Sequence, residues 1–406
     1  RFTGSRKYHQ INMKILLVSW STLPNKGGSS VIVENLAKNF SADEMIVLGS
    51  RTALPEAPPA RATDKAKFNY FFSELYFMGR GYRYFIWFRK LRFKPLINKI
   101  KELIKIEKID YVIGVYPNPF YCHAASIAAR EMKVPFSSYF HNTYVDNIAI
   151  VDPKATAIQK EIFDESAYIF VMSDGMKKFY EKKYSGYKFR SLVHTFNAFP
   201  PKDSLTGIPG DRKTEYKLVA IGNFNESNLD ATIRLVNAIK DNPKYKLSVY
   251  THVPKLMLQQ RGIEIHHIDY QGFVNPDEVH NVLQQYDIAV LTHGFTGGYG
   301  EIEYQTIFPT RTIPFLLSGK PIFAHSPKGS FLNDFILENN CAELVAVADE
   351  KAILEGLDRI SDDETYQAEL VEAARQTAQL FYGPRVVGQL KSTLNQTQKE
   401  ANEIDL

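Results

Sequence analysis

Short β-rich runs alternate with segments of helical spacing along almost the whole chain, and this alternation restricts the fold more than any other feature. Residues 13–19 (MKILLVS) lead into a Pro- and Gly-bearing loop and then SSVIVENLAKNF, whose apolar positions recur at helical spacing. The same order continues through β-rich runs at 45–50, 111–116, 134–140, 167–172 and 191–196. Residues 198–216 mix proline, glycine and charge without periodicity and read as a linker. A second series then follows at 217–222, 246–251, 263–268, 287–292, 320–325 and 342–347. Strands separated by helices imply parallel sheets covered on both faces. The expectation is an α/β chain of two Rossmann-like doubly wound domains, 13–197 and 217–383, with a cleft between them. Closing helices are expected near 349–359, 362–381 and 384–397, and residues 384–406 are expected to pack back on the first domain.

Size agrees with two domains, since 406 residues exceed what one core usually serves. No run of about 18 uncharged apolar residues occurs, which argues against an ordinary spanning helix. Cys122 and Cys341 lie far apart, so a disulfide framework is not expected and a reducing compartment, the cytoplasm, fits best. Residues 1–12 carry basic and polar side chains without an apolar signal core and are left out of the fold. Between Phe68 and Lys101 stand eight Lys or Arg residues, a single acid, Glu74, and twelve aromatics. That mixture suits an anionic membrane surface, on the inner face of a membrane, or else the wet edge of aromatic-rich helices. No nucleic-acid module accompanies it, so no nucleic-acid partner is expected.

In doubly wound sheets ligands gather beyond the carboxyl ends of the strands, where loops and helix N-termini converge. Gly27, Gly28 and Ser29 follow the first run, and the paired glycines allow close backbone approach to an acceptor or a phosphate. His141 closes the run at 134–140 and has Asp146 nearby; either suits a hydroxyl contact or general-base work. In the second series Gly222, Asn223, Thr251 and His293 stand at or just after strand ends. The segment from His293 to Arg311 adds Gly297 and Gly298 for a tight loop, Glu301 and Glu303 for sugar hydroxyls, and Arg311 for a diphosphate. Read as a strand, 263–268 would turn the adjacent His266 and His267 to opposite faces, and no ligand spacing or DxD pair points to a metal site.

With these residues in view, the chain resembles the GT-B glycosyltransferases, particularly the retaining bacterial polysaccharide enzymes of the family 4 kind. The resemblance rests on MKILLVS with Gly27-Gly28, strand-end His141, VMSDGMKKFY, TFNAFP at 195–200, AIGNF at 220–224 and above all FPTRTIPFLLSGKPIFAH at 308–325. It implies a hexosyltransferase that takes a nucleotide diphosphate sugar on the second domain and a saccharide or lipid-linked saccharide hydroxyl on the first. No tightly bound cofactor is implied, and the need for a divalent cation is left open. Arg311 would meet the donor phosphates, joined by Lys320 if it faces the cleft, and Glu301 would grip the transferred sugar. The family's E-x7-E motif is degenerate here, with Thr306 and Pro314 at its two glutamate positions. The same fold also serves nucleotide-sugar epimerases and phosphorylases, and a noncatalytic sugar-binding or assembly subunit is the alternative from another class.

Overall fold

The computed structural model describes residues 13–22, 28–52, 70–74, 82–147, 153–200, 213–297 and 301–404. Most of the expected linker, 201–212, lies outside them, as do residues 1–12, 23–27 and 298–300.

The first sheet holds β1 (Ile15–Val18), β2 (Met45–Thr52), β3 (Tyr70–Glu74), β4 (Tyr111–Tyr116), β5 (Phe136–Phe140), β6 (Ile169–Val171) and β7 (Phe189–Ser191). They are parallel in the order β3-β2-β1-β4-β5-β6-β7. β1, β4 and β5 are buried at every residue, as strands covered by helices on both faces must be. The covering helices are α1 (Gly28–Ala37), α2 (Tyr82–Ile106), α3 (Pro119–Met132), α4 (Ala155–Glu165) and α5 (Asp174–Lys183). Local chemistry fixes where they start. The Asn118 side chain accepts the Phe120 N–H ahead of Pro119, and Ser173 Oγ accepts the Met176 N–H at the head of α5.

The second sheet holds β8 (Tyr216–Ile221), β9 (Tyr245–Tyr250), β10 (Ile268–Gly272), β11 (Ile288–Thr292), β12 (Ile322–His325) and β13 (Glu343–Val345), parallel in the order β10-β9-β8-β11-β12-β13. Around it stand α6 (Leu229–Ile239), α7 (Lys255–Gln260), α8 (Val279–Leu283), α9 (Glu301–Thr306), α10 (Thr312–Leu316), α11 (Phe331–Asn339), α12 (Glu350–Asp362) and α13 (Glu364–Ala378).

The last helix, α14 (Gly383–Ile404), returns to the first sheet. Its Val386, Val387, Leu390 and Leu394 join Leu17, Val33, Leu36 and Phe40 in one buried cluster. Truncating the fully buried Leu394 to alanine is expected to cost about 2–5 kcal/mol. The chain crosses between the sheets twice at one place: Phe196 N–H donates to Phe381 O (3.1 Å) and Gly383 N–H to Phe196 O (2.9 Å).

Three local expectations are corrected. The run 191–196 is not a strand; β7 lies earlier, and Phe196 makes only an isolated bridge to Tyr382. The run 263–268 holds a short turn of 3-10 helix at 265–267 and reaches strand only at Ile268. His266 and His267 therefore sit on that turn, where His267 pairs with Glu264 at 3.3 Å. β3 falls inside the basic, aromatic stretch, where no strand was expected.

Candidate functional site

At the carboxyl end of β8 the backbone turns through Gly222 at φ 130°, a conformation that favours glycine. A β-carbon there would lie 3.2 Å from Arg311 Nη1 and 3.5 Å from Arg311 Cδ. The missing side chain thus lets the half-buried guanidinium lie across the turn. Arg311 Nη2 donates to Thr292 O, the last residue of β11, at 2.7 Å. Burial lowers its pKa to about 10, still far above neutrality, so the group stays cationic. No carboxylate partners it among the described residues, and a desolvated cation without a counter-ion favours an incoming anion. The start of α1 lies against the residue before Arg311, since a β-carbon at Gly28 would lie 3.5 Å from Thr310 Cγ2. Gly28 and Ser29 occupy its first turn, where backbone N–H groups have no intrahelical acceptor. Asn223 is exposed beside Gly222. Gly27 and Gly298 lie outside the described residues.

The loop after β11 is built by residues that sequence reasoning passed over. The Asp230 carboxylate accepts the N–H groups of Phe295 (3.1 and 3.2 Å) and Thr296 (3.2 Å), and Gly294 N–H donates to Ser227 O at 2.7 Å. Phe295 lies against the His325 ring (4.6 Å) and under the Arg234 guanidinium (4.8 Å), which donates to His325 Nε2 at 2.9 Å. Asp230 and Arg234 occupy successive turns of α6, and His325 ends β12, so the post-strand rule would have found that histidine. His293 Nε2–H donates to Tyr304 O at 2.8 Å, and burial lowers its pKa to about 4. This neutral ring ties the two ends of the loop together. Gly297 has a packing role too: a β-carbon would come 1.9 Å from Tyr304 Oη, which donates to Glu226 O. Thr251 is buried, with its hydroxyl accepting the Val253 N–H within its own turn (3.1 Å).

Two expected carboxylate roles meet other partners. Glu303 is buried and accepts from Thr143 Oγ1 of the first domain at 2.8 Å, and desolvation raises its pKa. Its carboxylate therefore joins α9 to the loop after β5. Ser173 Oγ adds a second tie, donating to Thr306 O at 3.0 Å. Asp146 accepts from Lys183 Nζ and, at 3.0 Å, from Tyr184 Oη, which makes it an anchor of its own loop. Glu301 remains exposed, touched by Gln305 Nε2 at 2.9 Å.

His141 is buried beneath the same loop, edge-on to Tyr139 at 4.4 Å. Neither ring nitrogen has a hydrogen-bond partner among the described residues. Burial, with His194 as the second cause, lowers its pKa well below 6.5. A neutral imidazole of such low basicity exchanges hydrogen bonds with a hydroxyl better than it removes a proton. Lys320 precedes β12 at its amino end, near Asp287 and away from these loops, so it does not face the cleft.

Among the described residues no group of three or more His, Cys, Asp or Glu could hold a metal ion. A crevice of about 380 Å³ between α5 and α11, lined by Lys177, Lys178, Phe331 and Phe335, borders none of the candidate residues.

No protein-family model matches the chain, and no curated protein matches it in sequence. Its three-dimensional structure does have counterparts. Sucrose-phosphate synthase from Thermosynechococcus elongatus aligns with a TM-score of 0.67 at 14 % identity, over 96 % of this chain and 100 % of that one. Anabaena HepE, in complex with UDP-glucose, aligns with a TM-score of 0.67 at 13 % identity, over 95 % and 100 %. A Listeria monocytogenes protein described as a UDP-N-acetylglucosamine 2-epimerase aligns with a TM-score of 0.57 at 12 % identity, over 96 % and 97 %. These likenesses establish the fold as GT-B, two Rossmann-like units facing one another.

Proposed function

We propose that this GT-B chain is a retaining hexosyltransferase. Its donor is a nucleotide diphosphate sugar and its acceptor a hydroxyl of a saccharide or lipid-linked saccharide. It works in the cytoplasm, at an anionic membrane face, in cell-surface glycan synthesis. The observation that carries this reading is the half-buried Arg311, without a carboxylate partner among the described residues, lying across the side-chain-free turn at Gly222, with the first turn of α1 against the neighbouring Thr310. A fixed cation with the N-terminus of a helix close to its neighbouring residue suits a diphosphate, whose negative charge grows as the sugar departs. The solved GT-B proteins in complex with UDP and UDP-glucose make uridine nucleotides the first donors to try.

Retention is supported by which groups are free. Glu303 and Asp146 are held by protein partners, and His141 is too weak a base for the acceptor hydroxyl. In front-face transfer none of them need act as base or nucleophile. The acceptor oxygen bonds the anomeric carbon as the carbon–phosphate-oxygen bond breaks, and the hydroxyl proton passes to the departing diphosphate. Glu301 contacts the sugar, and His141 offers its ring nitrogens to a hydroxyl.

The test is a mass-resolved assay with UDP-, GDP-, ADP- and dTDP-sugars and a lipid-linked oligosaccharide extract, with and without a divalent ion. An acceptor one hexose heavier, formed by the wild type and lost in Arg311→Ala, is the expected result. The structural likeness to an epimerase gives the competing outcome: donor conversion with no acceptor gain rejects transfer. NMR of the new linkage tests retention.

A further inference from the structure

The amino-terminal half of α2 carries an exposed stripe that the donor site does not use. Trp87 is 62 % exposed and Leu91 57 %, one helical turn apart on the same face, and Phe88 at 38 % lies beside Leu91. Lys90 and Lys94, both exposed, flank these side chains at the same helical spacing. The other half of the helix is ordinary. Leu96, Ile100 and Leu103 are fully buried, and Lys99 and Lys101 pair with Glu102 (3.0 Å) and Glu131 (2.6 Å). Arg89 and Arg92 turn inward, over the rings of Phe120 (4.5 Å) and Phe72 (4.4 Å). Lys90 and Lys94 make no salt bridge among the described residues, and no acid occurs anywhere from Tyr82 to Lys101. Among the described residues, the close lysine salt bridges of α2 thus lie in its carboxyl-terminal half, and Lys94 acts on Glu131 only at longer range.

We infer that this stripe is a docking element for an anionic lipid bilayer, and that it presents the open end of the cleft to the membrane. Indole and leucine side chains enter the headgroup boundary while flanking lysines reach anionic headgroups. A protein groove of matching shape lacks a reason to prefer two exposed lysines without a close salt bridge on a stretch of helix free of acids, whereas a negative lipid surface supplies one. Topology gives the orientation. α2 follows the carboxyl end of β3 and runs back to the start of parallel β4, so its first turns lie at the sheet edge where the post-strand loops gather. Bound through them, the first domain holds its candidate acceptor loops at the membrane, where a lipid-linked saccharide resides. That purpose rests on the transferase reading, but the docking itself does not.

The experiment uses the full chain, without donor or acceptor. Its probes are vesicles of phosphatidylcholine alone and vesicles with about one third phosphatidylglycerol. Sedimentation with the anionic vesicles only, reversed by high salt, is expected. Lys90→Ser with Lys94→Ser should lower partitioning roughly thirtyfold, two surface lysines being lost. Trp87→Phe should abolish a blue shift of tryptophan emission on vesicle addition. All three positions are exposed, and unchanged thermal unfolding verifies that the variants fold. Equal recovery in the supernatant with both lipids, or binding unaffected by the lysine pair, overturns the inference. So does a dimer in solution that Leu91→Ser dissociates, because a second copy would then cover the stripe. Docking without any sugar transfer keeps this inference and rejects the transferase; transfer to a soluble acceptor without docking does the reverse.

Discussion

Replacing Gly222 with alanine should weaken nucleotide binding without altering any group that touches the nucleotide. The turn holds φ 130°, and a side chain in that region costs about 1–3 kcal/mol of backbone strain. The added methyl also meets Arg311 Nη1 at 3.2 Å, tighter than an ordinary contact, so the guanidinium, whose Nη2 bonds Thr292 O, must give by a few tenths of an ångström. For a unit of this size the strain lowers Tm by about 2–4 °C per kcal/mol. If the displaced guanidinium loses one charge-assisted bond to the diphosphate, UDP affinity falls by about 1.5–3 kcal/mol, or roughly ten- to a hundredfold. Titration calorimetry with UDP on wild type, Gly222→Ala, Arg311→Ala and the double variant separates the two effects. Alanine at 222 should cost stability in both backgrounds and affinity only where Arg311 is present. An equal loss of affinity in both backgrounds, or wild-type affinity in the single Gly222 variant, refutes the claim that the glycine acts through the arginine.

Other consequences are testable separately. Glu303 has a raised pKa, so the folded state holds its proton more firmly than the unfolded chain; its contribution is full at low pH and declines as pH rises through the raised value. Glu303→Gln should flatten that part of the stability profile in urea titrations at stepped pH. The buried histidines act in the opposite sense. His293 and His325 are held at about 4 against an ordinary 6.5, so their stabilisation is complete above 6.5 and lost as pH falls toward 4, about 2 kcal/mol each by pH 5. Thermal melts at pH 7.5 and 5 should differ less once His293 is replaced by Asn. Asp230→Ala should free the N–H groups of Phe295 and Thr296 and speed hydrogen exchange there, with α12 unaffected.

The repeating strand pattern was legible because central strands such as β1 and β4 are apolar on both faces. YVIGVY became β4 with its ends unchanged. Where one face meets other surroundings, the pattern misled. YFFSE lies at a sheet edge among basic residues and gave no strand signal, and the alternating isoleucines at 263–268 anchor a turn instead. Gly222 could be picked out because position after a strand is a sequence property, and Arg311 because it is a basic residue at the opening of a helical segment. The bond from Thr143 to Glu303 spans 160 residues and two domains, and no local spacing encodes it. Glu303 and Asp146 looked like free chemistry because a carboxylate's partners do not appear in a linear pattern.

The paired crossing at Phe196 and Phe381–Gly383 has a mechanical corollary. Two strands of chain fastened side by side act as a single pivot, so rotation of one unit against the other produces little travel there and more with increasing distance from it. A small change in backbone angle at residues 196–197 or 382–383 is thereby geared up at the far lips of the molecule. Stiffening that pivot with a proline should slow any opening that admits a bulky substrate while sparing one that admits only water.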